Sequence, residues 1–243
     1  MVKELQCTQF GNPILRQNAK LLTIKQIQAK STQVLIANMR HTMISKGYGV
    51  ALAAPQVAKS IALFIIAIKP NKNHPTRKTV NKVCINPVII KTNGKKQPMW
   101  EGCMSLGEGD TTLFGQTHRW PKLKVRYIDE NGIEVFEELD GLEAHVFQHE
   151  YDHLQGILFV DKVKDTKTYM TMAEYQKRIL GLSTTSSLAE LDSGEIKPIL
   201  SDGKVSKDTL TAEKSVLAGQ DSSDETGIVR KSSKLKLKNK EKV

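Results

Sequence analysis

The 243-residue chain has only three cysteines, too few and too scattered for a disulfide framework. That excludes the small stapled secreted scaffolds and leaves any special cysteine as a candidate ligand or nucleophile. Long hydrophobic runs are missing too. A membrane span needs roughly 18 consecutive apolar residues, and the longest run here, residues 61–68, has only strand length. The N-terminus lacks the apolar stretch of a secretory signal, so a cytoplasmic protein with no membrane partner is expected. Acidic residues fall short of basic ones, 26 against 36, leaving a formal charge of +10. Such an excess favours anionic partners, RNA or the ribosome among them, and says nothing about fold.

Aromatic residues are scarce at 5%, and residues 183–243 contain no Phe, Trp, Tyr, Met or Cys at all. A segment so poor in apolar surface cannot offset the entropy of ordering it. The division predicted is therefore a folded catalytic domain over residues 1–182 and a disordered charged tail over 183–243. The tail holds 11 basic and 10 acidic residues and so carries only +1 of the net charge. Its last stretch, residues 230–242, is strongly basic and could tether the chain to RNA.

Within residues 1–182 the pattern is mixed. Apolar residues from Ile24 to Ile44 recur at helical spacing, with Gly47 as a stop signal. β-rich runs follow at 61–68, 83–90 and 123–128. Asn131-Gly132 between two such runs predicts a hairpin whose turn residues both take positive φ. Asp140 is placed to cap a helix carrying Leu142, His145, Val146, His149 and His153, and a last helical pattern covers about 166–182. Strands without regular βα alternation predict an α+β fold rather than a parallel α/β sheet.

His149-Glu150-Tyr151-Asp152-His153 carries the most chemical information. Two histidines four apart lie one helical turn, about 6 Å, from each other on one face and can reach a single metal ion. Glu150 between them is placed to act as general base on a water activated by that ion. His145 offers a rival pair with His149, but no carboxylate occupies the matching position, and His145 and His153 are about 12 Å apart along the axis. A hydrolytic site needs a third protein ligand and one open position. Among the cysteines, Cys7 has no supporting context and Cys84 sits inside an apolar run. Cys103 follows Gly102 and is the favoured candidate. This much predicts a metal hydrolase without choosing its bond.

Three ordered motifs resemble those of the peptide deformylase family. Gln148-His149-Glu150-Tyr151-Asp152-His153-Leu154 with Gly156 matches the third, and Glu101-Gly102-Cys103-Met104-Ser105 the second. The first appears as Gly49-Val50-Ala51-Leu52-Ala53-Ala54-Pro55-Gln56, with Ala51 replacing a Gly. The likeness spans roughly residues 8–180. It implies antiparallel β-sheets around a central helix bearing the His-Glu-x-x-His motif, and removal of the formyl group from formylmethionine on nascent polypeptides, releasing formate. It also implies that Cys103, His149 and His153 hold the metal, Fe(II) in many members with Zn(II), Ni(II) or Co(II) accepted. Glu150 would move the proton, Gln56 and the Met104 N–H would stabilise the oxyanion, and Gly49, Gly102 and Met104 would contact substrate.

The departures concern the substrate channel. Ala51 adds a methyl, the segment after Ser105 is longer than usual, and no Arg precedes Arg119 in it, where the family commonly has one that contacts substrate. Another N-acyl peptide as substrate, or an RNA-binding module with a structural metal, are the alternatives. A general endopeptidase is disfavoured, since no His follows His153 to serve as third ligand.

Overall fold

A computed structural model describes residues 2–47, 49–71 and 74–182. The predicted tail lies outside the described residues. Helices α1 (Ile24–Gln28) and α2 (Lys30–Lys46) come first, where one continuous helix is expected from the periodicity. Ala29, extended at φ −63° and ψ 140°, separates them. The break is local: Thr32 Oγ1 donates to the Gln26 carbonyl at 2.7 Å, so a side chain takes the place of a helical N–H. α2 stops at Gly47, as its sequence predicts.

Strands β1 (Ala51–Ala53), β2 (Leu63–Ile68), β3 (Val80–Asn93), β6 (Lys122–Ile128) and β7 (Glu134–Asp140) form one antiparallel sheet in the order β1-β2-β3-β6-β7. Strands β4 (Gln97–Gly102), β5 (Leu113–Arg119) and β8 (Met170–Thr171) form a second, in the order β4-β5-β8. Helix α3 (Gly141–Leu154) packs on the first sheet, with Ala144, Val146, Phe147 and Leu154 in its core beside Phe64 and Val125. Rings of Phe64 and Phe147 meet edge-on, 5.1 Å between centroids. The fold is α+β with antiparallel sheets and the His-Glu-x-x-His helix between them, as predicted.

Three local expectations need correction. The β6–β7 turn falls at Asn131-Gly132, yet only Gly132 takes positive φ (88°). The Asp129 carboxylate accepts from the Asn131 and Ile133 N–H groups at 2.9 and 2.8 Å, imposing a longer, side-chain-tied turn. Asp140 sits at the N-cap of α3 but its side chain makes no capping bond, and the Gly141 N–H goes instead to the Pro121 carbonyl at 3.0 Å. The segment 166–182 is not one helix. It gives a 3₁₀ turn (Thr166–Thr168), β8, and a short helix α4 (Met172–Arg178), because pairing of β8 with Leu113 and Phe114 takes residues 170–171 into the sheet. Among the described residues, no helix is long and apolar enough to cross a membrane.

Candidate metal centre

The β4–β5 pair sorts its side chains by strand alternation. Glu101, Gly115, Thr117 and Arg119 are buried, whereas Trp100, Gly102, Phe114 and Gln116 are partly exposed. On the buried face Glu101 is a hub. Arg119 donates to both its oxygens, Nε to Oε1 at 2.5 Å and one terminal nitrogen to Oε2 at 2.9 Å. Thr117 also donates to Oε1, and His145 Nε2 lies 3.2 Å from it. Arg119 continues to Asp152 at 2.5 Å, and Lys162 reaches the other Asp152 oxygen at 2.7 Å. Burial alone would raise the Glu101 pKa, but these donors hold it well below the carboxylate range.

Glu101 therefore faces α3 as an anion, and His149 Nδ1 sits 2.7 Å from its Oε2. That bond fixes the ring with Nδ1 as donor and leaves Nε2 for a ligand. One turn on, the His153 ring stands 5.0 Å from the His149 ring at 78°. Cys103, just past the end of β4, brings Sγ to 3.3 Å from His153 Nε2. Cys103, His149 and His153 thus converge, with one ligand atom from each lying within 4.8 Å of the others. A tetrahedral ion with bonds of about 2.0 Å to nitrogen and 2.3 Å to sulfur sets its ligand atoms roughly 3.5 Å apart, so the donor set fits such an ion. The protonation pattern agrees. Burial keeps His153 well below its usual pKa and so neutral. Burial acts in the same direction on His149, but its bonds to Cys103 and Glu101 prevail and raise it, so an incoming cation displaces a proton from the site.

Two further side chains complete the site. Gln56 is 1% exposed, in a short 3₁₀ turn after β1. Its Oε1 accepts from the Ala53 N–H at 2.8 Å, which turns Nε2 toward Cys103 Sγ (3.4 Å) and Ser105 Oγ (3.3 Å). Glu150 is 4% exposed, its Oε2 has no hydrogen-bond partner among the described residues, and burial pushes its pKa up to about 7. Gln56, Cys103, His149 and Glu150 line one cleft of about 210 Å³ together with Gly49, Gly102, Met104 and Ala51, and His153 lies behind them. His145 also lines it but serves Glu101 rather than the metal cluster. Cys84 is fully buried in the sheet core, the structural role expected of it, and Cys7 is buried beneath α2.

This arrangement is shared with known proteins. The family model for polypeptide deformylase matches residues 5–169. The chain belongs to the polypeptide deformylase family. A relative named peptide deformylase 2 from Nostoc sp. is 36% identical over 176 residues, 72% of this chain and 94% of its own. A peptide deformylase from Leptospira biflexa is 36% identical over 162 residues, 66% of this chain and 88% of that protein. Among solved structures, a Met-Ala-Ser-bound class I type b peptide deformylase from Acinetobacter baumannii superposes with a TM-score of 0.61 at 32% identity. It covers 67% of this chain and all of that one. Deformylases are metal-dependent hydrolases that remove the N-formyl group from new polypeptides, and this chain carries that activity class.

Sequence reasoning misses Trp100, Phe114, Leu142 and Val146 as cleft residues, and the ion network of Arg119 and Asp152. The signal for the network is in the motifs themselves, which carry Glu101 and Asp152 as acidic residues, both buried in the structure. The deformylase Arg sought after the second motif has no counterpart in the cleft. Arg119 is 3% exposed and committed to Glu101 and Asp152, and among the described residues no Lys or Arg lines the cleft.

Proposed function

We propose that this chain deformylates formylmethionyl polypeptides using Cys103, His149 and His153 as metal ligands, Glu150 as general base and acid, and Gln56 as oxyanion donor. The observation that carries this reading is the convergence of those three ligand atoms at a cleft also lined by Glu150, whose Oε2 has no partner among the described residues, and by a buried, oriented amide. A divalent ion held there supplies Lewis acidity and lowers the pKa of a coordinated water toward 7. Glu150 takes the proton of the attacking water. As the formyl carbon becomes tetrahedral, its oxygen gains negative charge, and the donors positioned for it are Gln56 Nε2 and the Met104 N–H. The Met104 N–H has no acceptor among the described residues. Glu150 then returns its proton to the departing nitrogen, freeing formate and the peptide amine. Gly49, Gly102 and Met104 form cleft walls against the peptide.

A thiolate with two imidazoles suits Fe(II), the ion we propose as native, and also Zn(II), Ni(II) or Co(II). We place the protein in the cytoplasm, where formylated nascent chains arise. The basic surface or the tail would bring it to ribosomal RNA in addition to the chemistry, not instead of it. A purely structural metal would need neither Gln56 nor Glu150. Ala51, 7% exposed at the edge of the cleft, is the observation that favours an altered N-acyl preference as a second reading.

Formate release from formyl-Met-Ala-Ser tests the proposal. Protein dialysed anaerobically against a chelator should lose turnover, and one equivalent of Fe(II) should restore it. Turnover that persists at substoichiometric metal would refute the metal mechanism. No turnover with one ion bound per chain would move the search to other acyl groups.

Gln56→Leu removes the amide donor at unchanged metal content. A loss of about 10²–10³-fold in kcat with KM within a few-fold is expected, because this bond forms fully only as charge develops. A raised KM with intact kcat would mean that Gln56 binds ground-state substrate instead.

A further inference from the structure

Residues 103–107 hold a metal ligand and the proposed oxyanion donor Met104, yet they belong to no helix or strand. Gln56, the other donor, is oriented by the Ala53 N–H within its own turn. Met104 has less local support. The Leu106 N–H bonds the Cys103 carbonyl at 2.9 Å, closing a turn with Met104 and Ser105 at its centre. Gly107 then leaves that turn at φ 111°, a conformation that favours glycine and adds no stiffness of its own. The position of such a turn depends on what grips it from outside.

The grip comes from the N-terminal segment, which ties both donor-bearing elements together. The Thr8 N–H donates to the Gln56 carbonyl and the Phe10 N–H to the Ser105 carbonyl, each at 2.7 Å. Between them Gln9 uses its side chain. Its Nε2 donates to the Met104 carbonyl at 3.1 Å and to the Cys7 carbonyl at 3.4 Å, and its Oε1 accepts from the Gly107 N–H at 3.3 Å. Two carbonyls that only accept and one N–H that only donates fix which end of the amide faces which. One side chain thus spans the turn from Met104 to the glycine that leaves it. Gln9 is exposed and is not among the residues lining the cleft, so any effect it has on the reaction passes through the turn.

Resting on the deformylase reading, we infer that Gln9 is a positioning residue for the reaction: its amide fixes Met104 in the turn and so keeps the Met104 N–H aimed at the developing oxyanion. Loss of the Gln9 bonds frees Met104 and Gly107. It leaves Ser105 tied to Phe10, and Cys103 tied to Leu106 and directly following β4. A fully placed oxyanion donor contributes about 10²–10³-fold in kcat. A donor whose turn has lost one tie should forfeit part of that, about 5- to 20-fold. Ground-state binding, where the formyl oxygen carries little charge, should change little.

The test compares two variants of the full chain, loaded with Fe(II), on formyl-Met-Ala-Ser. Gln9→Ala removes every bond of the side chain. Gln9→Glu keeps its length and an acceptor for the Gly107 N–H, but sets a carboxylate oxygen against the Met104 carbonyl in place of a donor. Both should lower kcat by about 5- to 20-fold with KM within about 2-fold. Metal content should stay at one ion per chain, and melting within about 2 °C of wild type, since the residue changed is on the surface. A tie that merely supports the fold would move melting or metal content and leave kcat of the loaded protein where it was. A kcat within about 2-fold of wild type in both variants overturns the positioning role while leaving deformylation in place. A loss that falls on KM, or that follows metal content or melting, overturns it equally. Failure of the wild type to release formate overturns both readings.

Discussion

Glu150→Gln is expected to lower kcat/KM for formate release by about 10²–10⁴-fold while the protein still binds one metal ion per chain. Gln matches Glu in shape, so the packing around this nearly buried side chain is kept and only its ability to carry a proton is lost. Glu150 Oε2 has no partner among the described residues, so the substitution breaks no bond that they make with that oxygen. Three separate measurements bear on the result: formate released, metal bound and melting temperature. A variant with normal metal content and more than about a tenth of wild-type turnover would show that another group moves the proton. Loss of metal along with activity would show that the carboxylate holds the site together instead.

The same residue makes a pH prediction. Burial raises the Glu150 pKa to about 7 in the metal-free chain. A carboxyl group raised above its unfolded value, about 4.3, contributes stability that is complete below that value and lost as pH climbs through about 7. Chemical denaturation of metal-free protein should therefore show Glu150→Gln gaining on wild type between pH 5 and 8, by up to about 3 kcal/mol. A cation bound beside the carboxylate favours its charged form, so saturating metal should narrow that gap. A stability difference flat across this range would mean that Glu150 titrates as an ordinary surface acid.

How much of this is legible in the chain depends on whether a feature is local. His149, Glu150 and His153 are set by helical periodicity, and any reader of the sequence can place them on one face. The β6–β7 hairpin is legible in position because Asn131-Gly132 is a strong turn signal, but its geometry belongs to Asp129, a competing side chain two residues upstream. The split of residues 166–182 depends on pairing with β5, which no local pattern announces. Cys103 illustrates the boundary. Its neighbours make it a plausible ligand, yet only the antiparallel pairing of β4 with β5 and the Glu101–His149 bond bring it to α3. The stack of Phe114 on Tyr175 is the extreme case, joining a strand to the last described helix. Non-local contacts of this kind decide the walls of the cleft, while local ones decide its chemistry.

Arg119→Met should destabilise the folded chain by about 3–5 kcal/mol. Arg119 is the only Arg or Lys side chain paired with Glu101 among the described residues, and it shares Asp152 with the more exposed Lys162. Removing it leaves two buried carboxylates short of their partner, and the cost is their desolvation rather than the loss of one attraction. At roughly 2–4 °C per kcal/mol for a domain of this size, melting should fall by about 6–20 °C. The effect should also reach the metal, since Glu101 holds His149 by its Nδ1, and loss of such a support typically weakens metal affinity by about 10- to 100-fold. The double variant Glu101→Gln/Arg119→Met separates the two consequences. With the Glu101 charge gone the stability cost should fall well below the sum of the single changes, whereas metal affinity should stay low because a Gln amide gives His149 a weaker acceptor. Additive stability losses in that cycle would show that the two residues do not depend on each other. A single Arg119→Met variant within about 1 kcal/mol of wild type would remove the ion network from any account of how the site is held.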